Sequence, residues 1–265
     1  MTTPVLYHYF ARPLPYVPTL SLQEKIHQIQ LSQRRTSLSK HHDILLLLQH
    51  RPVFTAGRRQ AEADVHVERV RLEKMGADFA STARGGQLTY HGPGQLVGYP
   101  LFDLGRTSPP VSVRDYVCRL ERIVKGHLRE VHGIVHSPSE HTGVFVDEGR
   151  TKLASIGVQV RHRLTTHGFA LNVTSEPLKW LDTVVACGLT DVKAGCIAGR
   201  STTKAEESIS VQSEVPLVVE RFGAVFGREM QKLDIERSPE VGDAIKEIEE
   251  LAQNMSDAPS APLLA

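Results

Sequence analysis

The chain contains 265 residues, of which 40% are hydrophobic and 23% are charged, enough for one large domain or two small ones. The 31 Lys and Arg residues nearly balance the 30 Asp and Glu residues, and the formal net charge of +1 disfavours a general nucleic-acid-binding or membrane-surface role. The cysteines Cys118, Cys187 and Cys196 are an odd number without a C-x-x-C pair, which disfavours a secreted disulfide framework and a zinc knuckle. The longest apolar run, Ile44 to Leu48, is far shorter than the ~20 residues of a membrane span.

The first 41 residues are predicted to be an N-terminal extension with one helix and a polar loop. Ser21 and Glu24 form an S-x-x-E capping box before apolar residues at helical spacing, which predicts a helix over residues 21–32. The first 23 residues contain no Asp or Glu. Acid-poor composition is one mark of an organellar transit peptide, although such peptides are also Arg-rich and amphipathic.

A folded domain is predicted over residues 42–228, followed by a charged and disordered extension over 229–265. Strands are predicted both next to one another and separated by helices, without a regular strand–helix–strand alternation. This pattern indicates an α+β class, with helices packed against a mostly antiparallel sheet. The predicted elements, in chain order, are a strand buried on both faces at 44–48, a glycine-rich segment at 83–98, a helix opened by Ser112 and Asp115, an antiparallel meander of 144–146, 152–160 and 167–173, and a helix at 216–226.

The glycine-rich segment ARGGQLTYHGPGQLVG is the most unusual part of the chain. Its glycine spacing fits neither a dinucleotide fingerprint nor a P-loop, so it indicates either backbone in close contact with a ligand or a tight hairpin. Two other residues are candidates for chemistry on local grounds. Lys152 begins an apolar strand, where a lysine usually points to solvent, and Cys187 follows an apolar run, where a cysteine is more often a small buried hydrophobe.

Taken together, these segments resemble the lipoyl(octanoyl) transferases of lipoate biosynthesis. The resemblance covers residues 42 to 200 and rests on the blocks PVFTAGRR, RGGQLTYHGPGQLVGYPLFDL, TGVFVDEGRTKLASIGVQV, HGFALNV and ACG, in that order. It implies that 42–228 is a catalytic domain with the fold of biotin and lipoate protein ligases, an antiparallel sheet flanked by helices. It also implies an acyltransferase that moves an octanoyl or lipoyl group from acyl carrier protein to a lysine of a lipoyl domain.

The resemblance assigns roles to two residues. Cys187 stands where the family carries its acyl group as a thioester, and Lys152 stands where a lysine lies beside that thiol. A nearby ammonium favours the thiolate, so Lys152 is expected to lower the pKa of Cys187 and to act as a general base, with His91 or His167 as helpers. The other two cysteines are expected to be dispensable. Ala186 replaces the proline usual in the family, which puts the rigidity of this loop in doubt.

The resemblance also predicts the walls of an apolar acyl pocket. Backbone amides of Ser155 to Gly157 or of Gly188 are expected to stabilise the oxyanion of the tetrahedral intermediate. Neither a metal nor a cofactor is expected, because the substrate arrives as an activated thioester. The predicted substrate-binding residues are Arg84, Gly85, Gly86, Gln87, Leu88, Thr89, Tyr90, His91, Ser155, Ile156, Gly157, Gly168, Phe169 and Ala170.

The expected partners are acyl carrier protein as donor, and the lipoyl domains of 2-oxoacid dehydrogenases and glycine cleavage H protein as acceptors. Four arginines are expected to recognise the acidic carrier, namely Arg58, Arg59, Arg161 and Arg163. A monomer that binds neither nucleic acid nor membrane is expected, in mitochondria, or in the cytoplasm if the chain is bacterial.

Two alternative functions remain. One is an ATP-dependent lipoate or biotin ligase of the same fold, and the other is a non-catalytic protein that binds carrier or lipoyl domains.

Overall fold

The structure is a computed structural model and describes residues 3–36, 41–107, 109–184 and 191–256. Within these residues a main sheet of eight strands carries helices on both faces. The strands, in spatial order, are β10 (Lys193–Ala194), β8 (Thr151–Arg161), β9 (Leu164–Asn172), β6 (Gln95–Leu101), β2 (Asp43–Leu48), β1 (Val5–Tyr9) and β11 (Met230–Lys232), and β7 (Val144–Val146) pairs with β8. The pairs from β2 to β8 and the β7–β8 pair are antiparallel, and the pairs at the two edges are parallel. The predicted α+β class is confirmed.

A second, three-stranded sheet lies beside the main one. It consists of β4 (Asp78–Ser81), β3 (Val53–Ala56) and β5 (Thr89–His91) in that order. The six helices of the described chain are α1 (Tyr16–Thr36), α2 (Glu62–Lys74), α3 (Val113–His132), α4 (Glu176–Leu181), α5 (Val211–Phe226) and α6 (Pro239–Asn254). None of these helices is long and apolar enough to cross a membrane.

Strand β2 shows how the core is divided between the two faces. Because side chains alternate along a strand, Leu45 and Leu47 pack with α3 and α5, while Leu46 and Leu48 pack with α1 and α6. All six residues of β2 are buried. The predicted strand buried on both faces is therefore confirmed.

The predicted helix after Ser112 and the predicted meander are also present. The Ser112 hydroxyl accepts a hydrogen bond from the backbone amide of Asp115 at 3.0 Å, which caps α3. Strands β7, β8 and β9 form the antiparallel meander. The last predicted helix begins earlier than expected, at Val211, because Ser210 and Ser213 cap each other's backbone amides there.

The predicted boundary of the first helix is wrong. Helix α1 begins at Tyr16, and Ser21 lies within it, with its hydroxyl donating to the carbonyl of Val17 at 3.2 Å instead of capping the helix. The helix begins before the capping pattern of Ser21 and Glu24, because residues that precede this pattern, such as Tyr16 and Thr19, are buried. Burial in the tertiary structure has overridden the capping pattern.

The expected disorder after residue 229 is wrong for the described part of that segment. Strand β11 joins the edge of the main sheet beside β1, and α6 buries Val241, Ile245 and Ile248 against the α1 face. The charged residues of this segment occupy the outer side of an amphipathic helix. The end of the chain, from residue 257, lies outside the described residues. The division into an extension of 1–41, a domain of 42–228 and an extension of 229–265 stays a prediction.

A buried polar cluster connects α3 with α5. One carboxylate oxygen of Glu214 lies 2.7 Å from Nε2 of His127 and 2.8 Å from Nε2 of His132, and all three side chains are fully buried. The other carboxylate oxygen lies 3.4 Å from Nζ of Lys204. Burial opposes ionisation of Glu214, but the two imidazoles keep the pKa of its carboxyl below the usual range. The carboxylate therefore stays charged and bridges the two helices.

Candidate active site

A cavity of about 340 Å³ lies between the glycine-rich segment and the paired strands β8 and β9. Its volume is in the range of small-molecule sites. Most of the residues predicted from the sequence meet at this cavity. They are Arg84, Gly85, Gly86, Gln87, Thr89, His91, Lys152, Ser155, Ile156, Gly157, Gly168, Phe169 and Ala170.

Leu88 and Tyr90 are predicted site residues that do not line this cavity. They belong to the hydrophobic cluster of the small sheet, in which the Tyr90 ring stacks on Trp180 with centroids 5.4 Å apart. The reason is the alternation of strand β5, which directs Thr89 and His91 to the cavity and their neighbours to the opposite side. Both side chains therefore lie outside the lining of this cavity, and their role in substrate binding stays a prediction.

Arg84 holds the glycine-rich segment against the small sheet. Its buried guanidinium donates to the carbonyl of Thr55 at 2.6 Å, to the hydroxyl of Thr55 at 2.7 Å and to the carbonyl of Gln87 at 2.9 Å. A buried guanidinium needs several acceptors of this kind, because an unsatisfied one is costly. Arg84 thus fixes the shape of the cavity wall as well as lining it.

Two glycines are required where the wall meets the sheet. A Cβ atom on Gly157 would lie 2.8 Å from the carbonyl oxygen of Gly85, and one on Gly168 would lie 2.1 Å from that of Gly98. Only glycine permits this approach of backbone to backbone. The small residues predicted at this wall bring the strands close together.

Lys152 lies near the start of β8 and is half-buried at the cavity. Its Nζ atom lies 5.3 Å from the centroid of the Phe145 ring. Strand β10 runs beside it, with Ala194 as its register partner, and the amide of Gly195 donates to the carbonyl of Lys152 at 2.9 Å. Cys187, with Ala186 and Gly188, lies outside the described residues, but the chain that follows it returns to the strand of Lys152.

The other two cysteines differ in exposure. Cys118 is exposed on α3, and Cys196 is buried. Burial raises the pKa of the Cys196 thiol, and that thiol donates to the carbonyl of Ala198 at 3.3 Å. A buried thiol with a raised pKa is unsuited to nucleophilic chemistry.

Three histidines surround the cavity, and burial lowers the pKa of each. The pKa of His91 is well below its usual value, that of His50 falls to about 4 and that of His167 falls to about 3. His91 and His167 line the cavity, while His50 lies behind it and bonds to Tyr99. All three are therefore neutral at physiological pH, and each ring has one N–H that can donate a hydrogen bond and one nitrogen that can accept one.

Several residues that line the cavity are not predicted from the sequence. Tyr16 reaches the cavity from the start of α1, Tyr99 from β6, and Glu140, His141 and Thr142 from the loop before β7. No local motif marks these positions, because they are brought together only by the packing of distant segments. His167 was predicted only as a helper, and it has a φ of 59° within β9, with its amide donating to Oε1 of Gln23 at 2.8 Å. A left-handed backbone at a non-glycine residue in a strand is often found at functional sites.

The four arginines predicted to bind a carrier differ in their surroundings. Arg58 and Arg59 are exposed where the small sheet meets the cavity, and Arg59 lines its mouth. Arg163 is exposed in the turn between β8 and β9. Arg161 is half-buried and paired with Glu24, so its charge is already neutralised.

A family model described as the lipoyl protein ligase A/B catalytic domain matches residues 16–227. The chain belongs to this family. Its relatives include an octanoyltransferase of Caldicellulosiruptor saccharolyticus, 36% identical over 83% of this chain and 90% of the relative. They also include the mitochondrial octanoyl-[acyl-carrier-protein]:protein N-octanoyltransferase of Danio rerio, 39% identical over 76% of this chain and 85% of the relative. The family predicted from the sequence is confirmed.

Solved structures of similar fold are lipoate protein ligases. One is a bipartite lipoate protein ligase of Thermoplasma acidophilum, with a TM-score of 0.63 and 14% identity over 94% of this chain and 93% of the other. Another is lipoate-protein ligase A bound with ATP, with a TM-score of 0.62 and 15% identity over 94% of this chain and 95% of the other. At such low identity the likeness establishes the fold, and the predicted ligase-like fold is confirmed.

Proposed function

We propose that the protein transfers an octanoyl group from the thioester of acyl carrier protein to a lysine of a lipoyl domain, through an acyl-Cys187 intermediate. The observation that carries the proposal is the combination of octanoyltransferase relatives at 36% and 39% identity with a cavity that contains Lys152 at the predicted position. The ligases of similar fold share only 14–15% identity. The transferase is therefore favoured over the ATP-dependent ligase.

The first step acylates the enzyme. The Cys187 thiolate attacks the carbonyl carbon of the octanoyl thioester, a new carbon–sulfur bond forms, and the bond to the phosphopantetheine sulfur breaks. The departing thiolate takes a proton from the Lys152 ammonium, which had first stabilised the Cys187 thiolate. Backbone amides of Ser155 to Gly157 are the candidate donors for the oxyanion.

The second step makes the amide. The neutral amine of the acceptor lysine attacks the acyl-cysteine carbonyl, the carbon–nitrogen bond forms, and the bond to Sγ of Cys187 breaks. The nitrogen loses one proton and the sulfur gains one, so a thiol and an amide are the products. This step consumes no ATP and needs no redox partner, because thioester cleavage drives it.

The position of Lys152 relative to the segment after Cys187 supports this assignment. Val192, five residues after Cys187, lines a small second cavity together with Lys152, Gln95 and Asn172. Five residues span at most about 18 Å, and this short connection is compatible with the proposed pairing of Lys152 with Cys187.

Mass spectrometry of the intact protein tests the intermediate. The wild-type chain mixed with octanoyl carrier protein, without ATP, is expected to gain the mass of one octanoyl group on Cys187. Cys187→Ser is expected to gain none, while Cys118→Ser, a matched change of an exposed cysteine, keeps the full gain. Full acylation of a lipoyl domain by Cys187→Ser, dependent on ATP, would establish the ligase instead, and carrier binding without any acylation would favour a non-catalytic binding protein.

The partners follow from the same chemistry. Lipoyl domains of 2-oxoacid dehydrogenases and the glycine cleavage H protein are the proposed acceptors. The acidic carrier is proposed to meet the exposed Arg58 and Arg59, of which Arg59 lines the cavity. We propose that the protein acts as a monomer in mitochondria. The relative from Danio rerio is named as mitochondrial, whereas bacterial relatives also exist. Imaging of full-length and N-terminally truncated fluorescent fusions tests the location.

A further inference from the structure

A continuous chain of side-chain hydrogen bonds leads from the cavity to the backbone beside Lys152. Nδ1 of His91 lies 2.8 Å from Oε1 of Gln95, Nε2 of Gln95 donates to Oδ1 of Asn172 at 2.9 Å, and Nδ2 of Asn172 donates to the carbonyl of Gly195 at 2.8 Å. The three side chains are at most 7% exposed. Gln95 and Asn172 are register partners in the antiparallel pair β6–β9, so the sheet itself sets their separation.

The chemistry of the two ends fixes the direction of every bond in the chain. A backbone carbonyl can only accept, so Asn172 must direct its NH₂ group to Gly195 and its oxygen to Gln95. Gln95 must then direct its NH₂ group to that oxygen, and the carbonyl of Tyr90, 3.3 Å from the same nitrogen, requires the same orientation. The amide oxygen of Gln95 is left for His91. A neutral imidazole can donate a hydrogen bond only from its protonated nitrogen, so Nδ1 of His91 carries the proton.

The other ring nitrogen is consequently an acceptor. Burial, with the nearby charge of Arg84, keeps the pKa of His91 well below its usual value, so the ring is neutral and its tautomer decides its role. Among the described residues Nε2 has no hydrogen-bond partner, and His91 lines the cavity. In this tautomer Nε2 can accept a proton from a ligand but cannot donate one to an oxyanion.

We propose that Gln95 and Asn172 are positioning residues that hold His91 in the Nδ1–H tautomer, so that Nε2 accepts the N–H of the attacking lysine amine. The role in transfer rests on the proposed function. As the carbon–nitrogen bond forms, the proton passes from the amine nitrogen to Nε2 and then to the leaving Cys187 sulfur. The ring begins and ends neutral, and protons balance. A lowered imidazole pKa assists the second transfer, because the transient imidazolium is a strong acid.

Nitrogen NMR of the full chain tests the tautomer without any assay of activity. With ¹⁵N-labelled histidine, His91, identified by the signals lost in His91→Gln, is expected to show a protonated Nδ1 and an unprotonated Nε2. Gln95→Leu removes the acceptor and is expected to shift the ring toward the Nε2–H form, which free histidine favours. Gln30→Leu is the matched control, since Gln30 is equally buried but bonds to the carbonyls of His42 and Leu101. A wild-type ring protonated on Nε2 overturns the proposal.

Single-turnover kinetics test the role in transfer. Gln95→Leu is expected to slow transfer from acyl-Cys187 to the lipoyl domain by about 10- to 100-fold, while acylation by the carrier changes less than about threefold. Unchanged transfer in a Gln95→Leu protein with an altered tautomer overturns the role. Should the wild-type chain form no acyl-cysteine at all, the proposed function fails, whereas the NMR result on the tautomer stands by itself.

Gln95→Glu is the near-isosteric companion to the leucine variant. Its second oxygen faces the acceptors that Nε2 of Gln95 contacts, Oδ1 of Asn172 and the carbonyl of Tyr90, so the buried carboxyl is expected to be protonated and to donate to Oδ1 of Asn172. Its other oxygen then still accepts from Nδ1 of His91, and the Nδ1–H tautomer is retained. Transfer is expected to stay within about threefold of the wild-type rate. A variant that keeps the tautomer but transfers as slowly as Gln95→Leu overturns the assignment.

Discussion

The hydroxyl of Tyr99 donates a hydrogen bond to Nε2 of His50 at 2.7 Å, and Nδ1 of the same ring donates to the carbonyl of Leu14 at 3.0 Å. Both ring nitrogens of this fully buried histidine are therefore satisfied in the neutral form. Protonation would add a hydrogen to Nε2, where it would meet the hydrogen of the Tyr99 hydroxyl. The fold consequently favours neutral His50, and its pKa falls to about 4.

This preference makes stability depend on pH. Because the pKa of His50 is lower in the folded than in the unfolded chain, its contribution is complete above about pH 6.5 and is lost as pH falls toward 4. At pH 5 the loss from His50 is about 2 kcal/mol, and His91 and His167 add losses of the same sign. Urea unfolding at pH 7 and pH 5 measures the difference. His50→Gln is expected to be less stable at pH 7 but to lose about 2 kcal/mol less on acidification, and equal losses in both proteins would contradict this account.

Replacement of Lys152 tests its effect on the thiol. Lys152→Met is expected to slow acylation by about 100-fold or more and to raise the pKa that governs alkylation of Cys187, because it removes the cation that is proposed to lie beside the thiol. Lys25→Met changes an exposed lysine on α1, outside the lining of both cavities, and serves as the control. If the pH dependence of Cys187 alkylation is unchanged in Lys152→Met, this lysine does not promote formation of the thiolate.

The glycines of the cavity wall offer a matched pair. A Cβ on Gly157 would lie 2.8 Å from the carbonyl oxygen of Gly85, whereas a Cβ on Gly85 would make an ordinary contact of 3.6 Å with that of Val158. Gly157→Ala is expected to displace the glycine-rich segment and to reduce octanoyl loading by about tenfold or more, with shorter acyl chains less affected. Gly85→Ala is expected to stay within about threefold of the wild type. The test is to measure acyl loading of each variant by intact-mass spectrometry, with butyryl and with octanoyl carrier protein. Equal loading of the two variants would show that the cavity wall tolerates an added Cβ at Gly157.

The cluster between α3 and α5 is expected to act on stability alone. Glu214→Leu leaves two buried imidazoles without their carboxylate, and we expect a loss of about 3 kcal/mol in the free energy of unfolding. Urea unfolding at pH 7 measures it, and acyl transfer by the folded variant at low temperature should stay near the wild-type rate. A change below about 1 kcal/mol would indicate that the cluster contributes little net stability.

Charge at the cavity mouth is expected to govern carrier binding. The double variant Arg58→Glu with Arg59→Glu should raise the KM for octanoyl carrier protein by about tenfold or more, with the difference shrinking as salt is added. Arg114→Glu alters an exposed charge on α3, away from the cavity lining, and should bind as the wild type does. Binding that stays flat from low to high ionic strength would remove this role for the arginines.

The sequence predicted those features that depend on neighbouring residues. The buried strand β2, the cap of α3 by Ser112 and the meander of β7 to β9 follow from patterns within a few residues. The approach of Gln95 to Asn172 could not be found this way, because it arises from the register of two strands and joins residues 77 positions apart in the chain. The same holds for Tyr16, which enters the cavity only because α1 packs against β6 and β9. The many charges of helix α6 mask its narrow apolar stripe, so the sequence of this segment predicts disorder instead of a helix.

Gly195 belongs to both halves of the site. Its amide holds the strand of Lys152, its carbonyl orients the chain that ends at His91, and a Cβ at this position would lie 2.5 Å from Cγ2 of Thr151. A shift of this one peptide would therefore misplace the lysine backbone and relax the imidazole at the same time. A change in the segment after Cys187 would therefore slow both proposed steps, acylation and transfer. Anyone who redesigns this segment must preserve the geometry of both steps together.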